Sequence, residues 1–517
     1  MPRSRVVLLI AFLTGLCAGW GVLELTEPPG PGLDPDAVSY LGAGISAAHG
    51  DGFRIPEGPW NAPDTTSALA HFPPGFPALI ATGVRAGLDA RNAARFIQAA
   101  SAAIAAIAVS LTAGVAGGPM AALTAAVLVL LTPAMIVVHA SVLSEPLFLA
   151  LVASFTLVMA RTPPGGSNLG GSDPGAPLRR LALLTVLAAA AALVRYAGLA
   201  LVGAIGLDTL LAHRQASIGR RLRNALLTML LPVVPFGWWT LSRPARTEGV
   251  AVRHAGLYLD GLRATLGEGA LTMGRWLAPV RESETAWRVM PGAIAVLVAL
   301  VVLARRAWPA TPEPGRQVVR SVGIVVASYL GMVLTSRVLA DGMIPLDDRL
   351  LSPVMMLGAL VMGVLCAVCL TDARLGRARR MLVAGLLASW LWGASDVGRW
   401  WWMIYTEDGG DFASRDWALS PTLAQLNVIP PGTPIYTNWP AAIWFHTGRA
   451  SRFLPSTPDS AVARRWGALI KTHGGVALVF TTESGDVRTP LATLRAAGLV
   501  PRATFADGAL WGIAPEP

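Results

Sequence analysis

Apolar runs long enough to cross a bilayer recur along this chain, and they leave little room for any other fold class. Residues 6–23 are uninterrupted apolar sequence. Further segments fall near 93–115, 119–139, 144–160, 179–194, 196–212, 222–242, 289–304, 318–337, 349–370 and 380–400. The hydrocarbon core of a bilayer takes about 20 helical residues. Only 14% of the 517 residues are charged and the mean hydropathy is +0.54, against about 25% charged residues in a soluble domain. The expectation is a polytopic α-helical membrane protein with about 11 transmembrane helices. The net charge of +10 does not point to nucleic acid, because most basic residues flank the apolar segments and report topology.

The arginines set the expected threading. With the N-terminus inside, one side receives Arg3 and Arg5, then Arg161, Arg179 and Arg180, then Arg214, Arg220, Arg221 and Arg223. Arg305, Arg306, Arg316 and Arg320 follow, and finally Arg374, Arg377, Arg379 and Arg380. Acidic residues concentrate in the opposite loops. An excess of Arg and Lys marks cytoplasmic loops, so the reading is a multi-pass protein of the bacterial inner (cell) membrane with a cytoplasmic N-terminus. Two breaks keep this threading. Residues 96–144 carry no formal charge with His139 neutral, and they split at the GVAGGP run, 114–119. Residues 180–213 split at 195–198, because an unpaired Arg195 at mid-membrane is expensive. Residues 6–24 read as an uncleaved first helix: no A-x-A site follows, and Leu16 is too bulky for lipoprotein processing before Cys17. Cys17, Cys366 and Cys369 lie in apolar runs and read as small buried hydrophobes.

Three large outer regions result. Residues 25–92 form a first loop. Within it, residues 36–49 read as a short interfacial helix with Val38, Leu41 and Ile45 on its apolar side. Residues 243–288 form a second loop containing Arg243, Arg246, Arg253, Arg263 and Trp276. Residues 403–517 turn soluble in composition. There PIYTN and GVALVF read as strands, TPLATLRAAG as a helix, and RATFADGALWGIA as a closing pair of strands. A transmembrane domain over 1–402 and a small extracytoplasmic α/β domain over 403–517 are expected. Trp238, Trp239, Trp390, Trp392 and Trp400–402 fall at expected helix ends, as aromatic belts do. Residues 163–177, rich in Gly, Ser and Pro, read as a flexible inner loop.

The chemistry-bearing residues gather at the outer surface. Asp36 begins a D-x-x-x-Y with Tyr40, and a carboxylate beside a membrane cavity can take a proton from an incoming hydroxyl. It can equally cap the helix that follows. Asp34 lies two residues earlier, where it either pairs with Asp36 around a cation or a shared proton or serves a turn at Pro35. The prolines of HFPPGFP, residues 71–77, fix the backbone path and so present His71 in a set position or merely stiffen a loop. Glu145 opens the fourth apolar segment, where a helix N-terminus favours an acid. Arg195 and Arg349 lie at outer boundaries that topology does not explain, and arginine binds phosphate in bidentate fashion. A local pair of Arg349 with Asp347 or Asp348 is the competing account.

These pieces resemble the membrane glycosyltransferases of the GT-C superfamily, in particular the GT39-like branch of protein O-mannosyltransferases and lipid A aminoarabinose transferases. The resemblance rests on Asp36-x-x-x-Tyr40 after the first helix with the AAHGDGF run that ends at Phe53, and on HFPPGFP where relatives carry a Pro-Pro motif. SEPLF at 144–148, LVRYAGLAL at 193–201 and DRLLSPV at 348–354 add to it. Ala37 stands where the mannosyltransferases commonly have Glu. His71 and Phe72 stand where a lysine precedes Pro-Pro in the aminoarabinose transferases. The resemblance implies a sugar donor linked to polyprenyl phosphate, transfer on the non-cytoplasmic face, and Asp36 as the catalytic aspartate.

The reading is an inverting, polyprenyl-phosphate-dependent glycosyltransferase. Asp36 is the general base, Arg349 and Arg195 hold the leaving phosphate, and Asp34, Tyr40, His71 and Glu145 contact sugar or acceptor. Its partners are the lipid-linked sugar, membrane lipids and an acceptor glycan, lipid or protein. No cofactor is expected, and no dense carboxylate–histidine cluster supports a divalent metal. The alternative is a multi-pass transporter or lipid-linked sugar flippase, which would carry charges at mid-membrane and repeated halves.

Overall fold

The computed structural model describes residues 2–62, 65–161, 176–212, 216–242, 256–281, 286–371, 376–455, 459–481 and 491–514. Arg214, Arg243, Arg246, Arg253, Arg374 and nearly all of the 163–177 stretch lie outside them. The chain forms two compact units. One comprises residues up to Leu25, 95–242 and 256–404; the other comprises 26–94 and 405–517. The boundary thus differs from the expected one, because the first outer loop belongs with the C-terminal region.

In the first unit every expected apolar segment is helical. Pro2–Leu25 comes first, and Ala90–Leu131 runs for 42 residues. Pro133–Ala140, Glu145–Arg161, Ala176–Val194, Leu199–Ala212 and Ile218–Ser242 follow, then Met290–Ala307, Glu313–Leu339, Asp348–Thr371 and Arg377–Met403. Among the described residues, seven helices are long and apolar enough to cross a membrane. Ala90–Leu131 is two helices meeting at a kink at Gly117–Gly118, and it covers the expected segment 93–115 and the first part of 119–139. Glu145–Arg161 and Leu199–Ala212, at 17 and 14 residues, fall short of that length.

Both expected breaks are present. Gly118 has φ 70° and ψ −158°, a conformation open to glycine and closed to most L-residues. Arg195 is extended, with φ −146° and ψ 144°, between Ala176–Val194 and the turn Tyr196–Gly198. Large apolar side chains cover the outside of the unit, with Leu230 62% and Leu241 88% exposed. Small residues fill the inside, including Ala113, Ala121, Ala125 and Ala188. Lipid tails offer no hydrophobic gain for helix association, so close packing of small residues takes over. Trp238, Trp239 and Trp400–402 stand near helix ends, whereas Trp390 and Trp392 stand mid-helix. The second outer loop holds an unexpected helix, Leu262–Leu277.

The second unit is built on a mixed sheet. Its strands in chain order are β1 (Arg54–Ile55), β2 (Glu57–Gly58), β3 (Ser67–Ala68), β4 (Ile435–Thr437), β5 (Ser451–Phe453), β6 (Val476–Phe480), β7 (Leu499–Phe505) and β8 (Gly508–Ile513). β1 and β3 pair antiparallel. The others form one sheet in the order β2-β5-β4-β6-β8-β7, parallel from β2 to β6 and antiparallel beyond. Pro440–Thr447 links β4 to β5, and Ser460–His473 links β5 to β6. Successive strand residues face opposite sides. Ala477 and Val479 therefore pack with Trp466, Ile470 and Leu494, while Leu478 and Phe480 pack with Leu423, Leu426 and Ile443.

One close helix contact in the first unit is at Gly363. A Cβ on Gly363 would lie 2.5 Å from the backbone N and Cα of Ala125, whereas one on Gly358 of the same helix meets nothing within 4 Å. Overpacking typically costs about 1–3 kcal/mol. Gly363→Ala is expected to lower the melting temperature in detergent, and Gly358→Ala to leave it unchanged.

Candidate functional site

The sequence D-D-R at 347–349 opens the Asp348–Thr371 helix, and its three charged side chains have different partners. The Asp347 carboxylate accepts from the Leu350 backbone N–H at 2.8 Å, an N-terminal cap. Asp348 accepts from the Trp276 indole N–H at 2.7 Å and lies 3.6 Å from Arg275. Arg349 donates from Nε to Glu145 Oε1 at 3.0 Å. This carboxylate partner is 204 residues away in the chain.

Glu145 receives a second guanidinium. Arg195 Nη1 lies 2.6 Å from its Oε2 and donates to Ser144 Oγ at 3.2 Å. The Glu145 side chain is 2% exposed, against 20% for Arg195 and 31% for Arg349. The acid therefore sits behind two arginines that keep their outer surface open. Both of its carboxylate oxygens are engaged by these guanidiniums. Tyr329 braces the same corner by donating to the Leu350 carbonyl at 2.6 Å, with Phe148 6.1 Å from its ring. The SEPLF run contained Ser144, but nothing in sequence spacing pointed to Tyr329, Trp276 or Arg275 as partners of this helix start.

The remaining expected residues belong to the other unit. Asp34 is the N-cap of the Pro35–His49 helix, accepting from Ala37 N at 2.7 Å. That leaves Asp36 in the first turn, half-buried, without the capping job. The helix is not interfacial in pattern, because its first half is buried all round, from Ala37 to Gly44. Tyr40 is 2% exposed, with ring centroids of Phe72 and Phe76 at 4.8 and 5.3 Å. His71 is half-buried, 6.3 Å from the Phe72 ring. The prolines after His71 lead directly into the Gly75–Arg85 helix.

The segment before Asp34 is tied down from several sides. Arg91 donates to the Gly30 carbonyl at 2.8 Å and its guanidinium lies 5.1 Å over the Phe445 ring. Phe412 N donates to the Leu33 carbonyl at 3.1 Å. The His446 ring, through Nε2, meets the Phe412 carbonyl at 2.8 Å. Burial pushes the His446 pKa below its ordinary value; the Phe412 bond opposes this and the Arg91 charge adds to it. Among the described residues no group of three or more His, Cys, Asp or Glu is placed to hold a metal ion.

The sign of the His446 effect gives a test. A depressed folded-state pKa contributes stability that is complete above the unfolded value, about 6.5, and is lost as pH falls toward the folded one. Melting temperature should therefore drop on acidification from about pH 7 to pH 5, and by less in His446→Gln, which keeps a donor for Phe412.

No family model and no curated protein matches the sequence. Solved structures do match. The oligosaccharyltransferase of Archaeoglobus fulgidus, in complex with Zn and sulfate, gives a TM-score of 0.54 at 12% identity, covering 90% of this chain and 68% of its own. The arabinofuranosyltransferase AftD from Mycobacteria gives 0.55 at 15% identity, covering 99% of this chain and 40% of its own. ArnT from Cupriavidus metallidurans, bound to undecaprenyl phosphate, is similar over 99% of this chain and 98% of its own, at 16% identity and a TM-score of 0.47. With the Archaeoglobus fulgidus oligosaccharyltransferase and AftD as the basis, the chain shares the fold of these membrane proteins. At these identities the likeness speaks to fold.

Proposed function

We propose that this chain is an integral-membrane glycosyltransferase that moves a sugar from a polyprenyl-phosphate donor to an acceptor hydroxyl. The observation that carries the reading is the pair of guanidiniums, Arg195 and Arg349, anchored on one buried carboxylate with outer surface exposed. Held this way they form a preorganised cationic site, which stabilises charge developing on a leaving oxygen without reorganising during the reaction. The shared fold supports the same class. A structure of the Archaeoglobus fulgidus oligosaccharyltransferase AglB carries dolichol phosphate with an inhibitory peptide.

In this reading the acceptor oxygen attacks the anomeric carbon from the face opposite the phosphate. The bond from that carbon to the phosphate oxygen breaks, polyprenyl phosphate departs with its negative charge, and the anomeric configuration inverts. The acceptor proton passes to Asp36, the general base. The helix cap is Asp34, which accepts from Ala37 N. His71 and Tyr40 shape the sugar or acceptor subsite, and no cofactor is required. Transfer takes place on the non-cytoplasmic face, with the N-terminus cytoplasmic.

The direct experiment incubates purified protein with labelled polyprenyl-phosphate sugars and follows released carrier lipid. Asp36→Asn should slow transfer by about 10²–10⁴-fold with little change in melting temperature. Asp34→Asn should be mild, since Asn caps helices about as well as Asp. Full activity in Asp36→Asn together with loss in Asp34→Asn would move the base to the other acid.

The arginines are tested separately. Arg349→Gln or Arg195→Gln should weaken donor use by roughly 10- to 150-fold, the worth of one charge-assisted contact of about 1.5–3 kcal/mol. Unchanged donor affinity in both variants would remove them from the mechanism.

A further inference from the structure

We infer that the Leu262–Leu277 helix is a positioning clasp for Arg349, acting through Trp276 and Arg275 on Asp348. The inference rests on Arg349 as a phosphate ligand and adds a specific source for its placement. Neighbouring residues on a helix are about 100° apart around the axis, since a turn takes about 3.6 residues. Fixing the side chains of Asp347 and Asp348 therefore fixes the roll of the first turn, and with it the direction in which Arg349 leaves. Asp347 is fixed by its cap to Leu350 N at 2.8 Å. Asp348 is fixed from outside its own helix, by the Trp276 indole N–H at 2.7 Å and by Arg275 at 3.6 Å.

The clasp is itself held. Arg337, 1% exposed, donates to the carbonyls of Tyr258 and Asp260 at 3.2 and 3.0 Å and to Thr265 Oγ1 at 3.3 Å. It pins the start of the helix to the end of Glu313–Leu339. Midway, the Glu268 carboxylate accepts from Leu346 N at 3.4 Å. At the far end the Trp390 indole donates to the Trp276 carbonyl at 2.7 Å. Arg275, Trp276 and Asp348 also line a small cleft of about 40 Å³ together with Pro133, Val137 and Trp401. Trp276 is thus not simply filling core. Its indole N–H is committed to a charged partner one residue from Arg349, and one side of its environment is open.

The test uses the full chain in detergent, with polyprenyl phosphate as the binding probe and lipid-linked sugar as substrate. Trp276→Phe keeps the ring and removes the N–H. The dissociation constant for polyprenyl phosphate and the donor KM should rise roughly 3- to 10-fold, the worth of one hydrogen bond, while kcat and melting temperature stay near wild type. Arg275→Gln leaves the indole in place and should shift KM in the same direction, with Arg275→Lys closer to wild type. In an Arg349→Gln background, Trp276→Phe should add nothing, because residues acting through one another are not additive. Additive effects in the double variant, or unchanged KM in both Trp276→Phe and Arg275→Gln, overturn the clasp even while Arg349→Gln still weakens binding. If Arg349→Gln leaves polyprenyl-phosphate binding unchanged, the phosphate reading fails and the clasp falls with it.

Discussion

One carboxylate organises the ends of three helices in the apolar unit. Glu145 opens Glu145–Arg161, Arg195 lies in the extended break after Ala176–Val194, and Arg349 sits in the first turn of Asp348–Thr371. Taking an ion out of water costs several kcal/mol, offset only by good geometry and further hydrogen bonds. Contacts of 2.6 and 3.0 Å to two arginines supply that geometry, and a helix N-terminus independently favours the negative charge. The same arrangement explains why the arginines are held and yet remain partly exposed. Glu145 satisfies part of each guanidinium, and the outer part stays at the surface. Losing the acid would leave two cations repelling one another where one anion now joins them.

The second unit poses the opposite problem, because its sheet is assembled from distant pieces of chain. β2 at 57–58 pairs parallel with β5 at 451–453, across nearly the whole apolar unit in sequence. Arg452 reaches the Ala62 carbonyl at 3.2 Å from the same edge. Such pairings require closing a very long loop before any contact repays the entropy. The core of β4, β6 and β8 with Ser460–His473 is far more local, and Asn438 ties β4 to β6 through both the N–H and the carbonyl of Phe480, at 2.9 and 2.8 Å. The residues that carry Asp34 and Asp36 are thus set against a sheet built mostly from the other end of the chain.

This division explains what was legible in the sequence. Apolar length alone located the helices, because a bilayer demands it of each segment independently. The glycines at 117–118 and the charge of Arg195 marked the breaks for local reasons. In the soluble region, alternation in GVALVF and the closing RATFADGALWGIA pair were readable, and both are strands. Leu262–Leu277 was not readable: Gly267, Gly269 and Gly274 weaken its intrinsic helix preference, and its anchors are tertiary. β2, at two residues, carries no periodicity at all. At the site, residue types and loop positions singled out Glu145, Arg195 and Arg349. Their joining was beyond spacing arguments, because the contact spans 204 residues. For Asp34 and Asp36 the sequence left the cap open, and one backbone hydrogen bond assigns it to Asp34.

The placement of the buried charges along the helices bears on the choice between an enzyme and a carrier. Arg180, near the start of Ala176–Val194, pairs with Asp208, which also meets Arg320 at 3.4 Å. Arg195 follows the other end of that helix and belongs to the Glu145 cluster. At 1.5 Å per residue the two clusters are about 22 Å apart along the axis, comparable with a hydrocarbon core of about 30 Å. Glu313–Leu339 repeats the pattern, with Arg320 near one end and Arg337 near the other. A carrier that moves a charged headgroup across the bilayer needs polar partners between those ends, where isolated charge is expensive. Among the described residues the ion pairs of these helices lie at the ends instead. Charges paired near the ends of these helices, with an alanine-rich interior between them, leave the helix centres to close apolar packing.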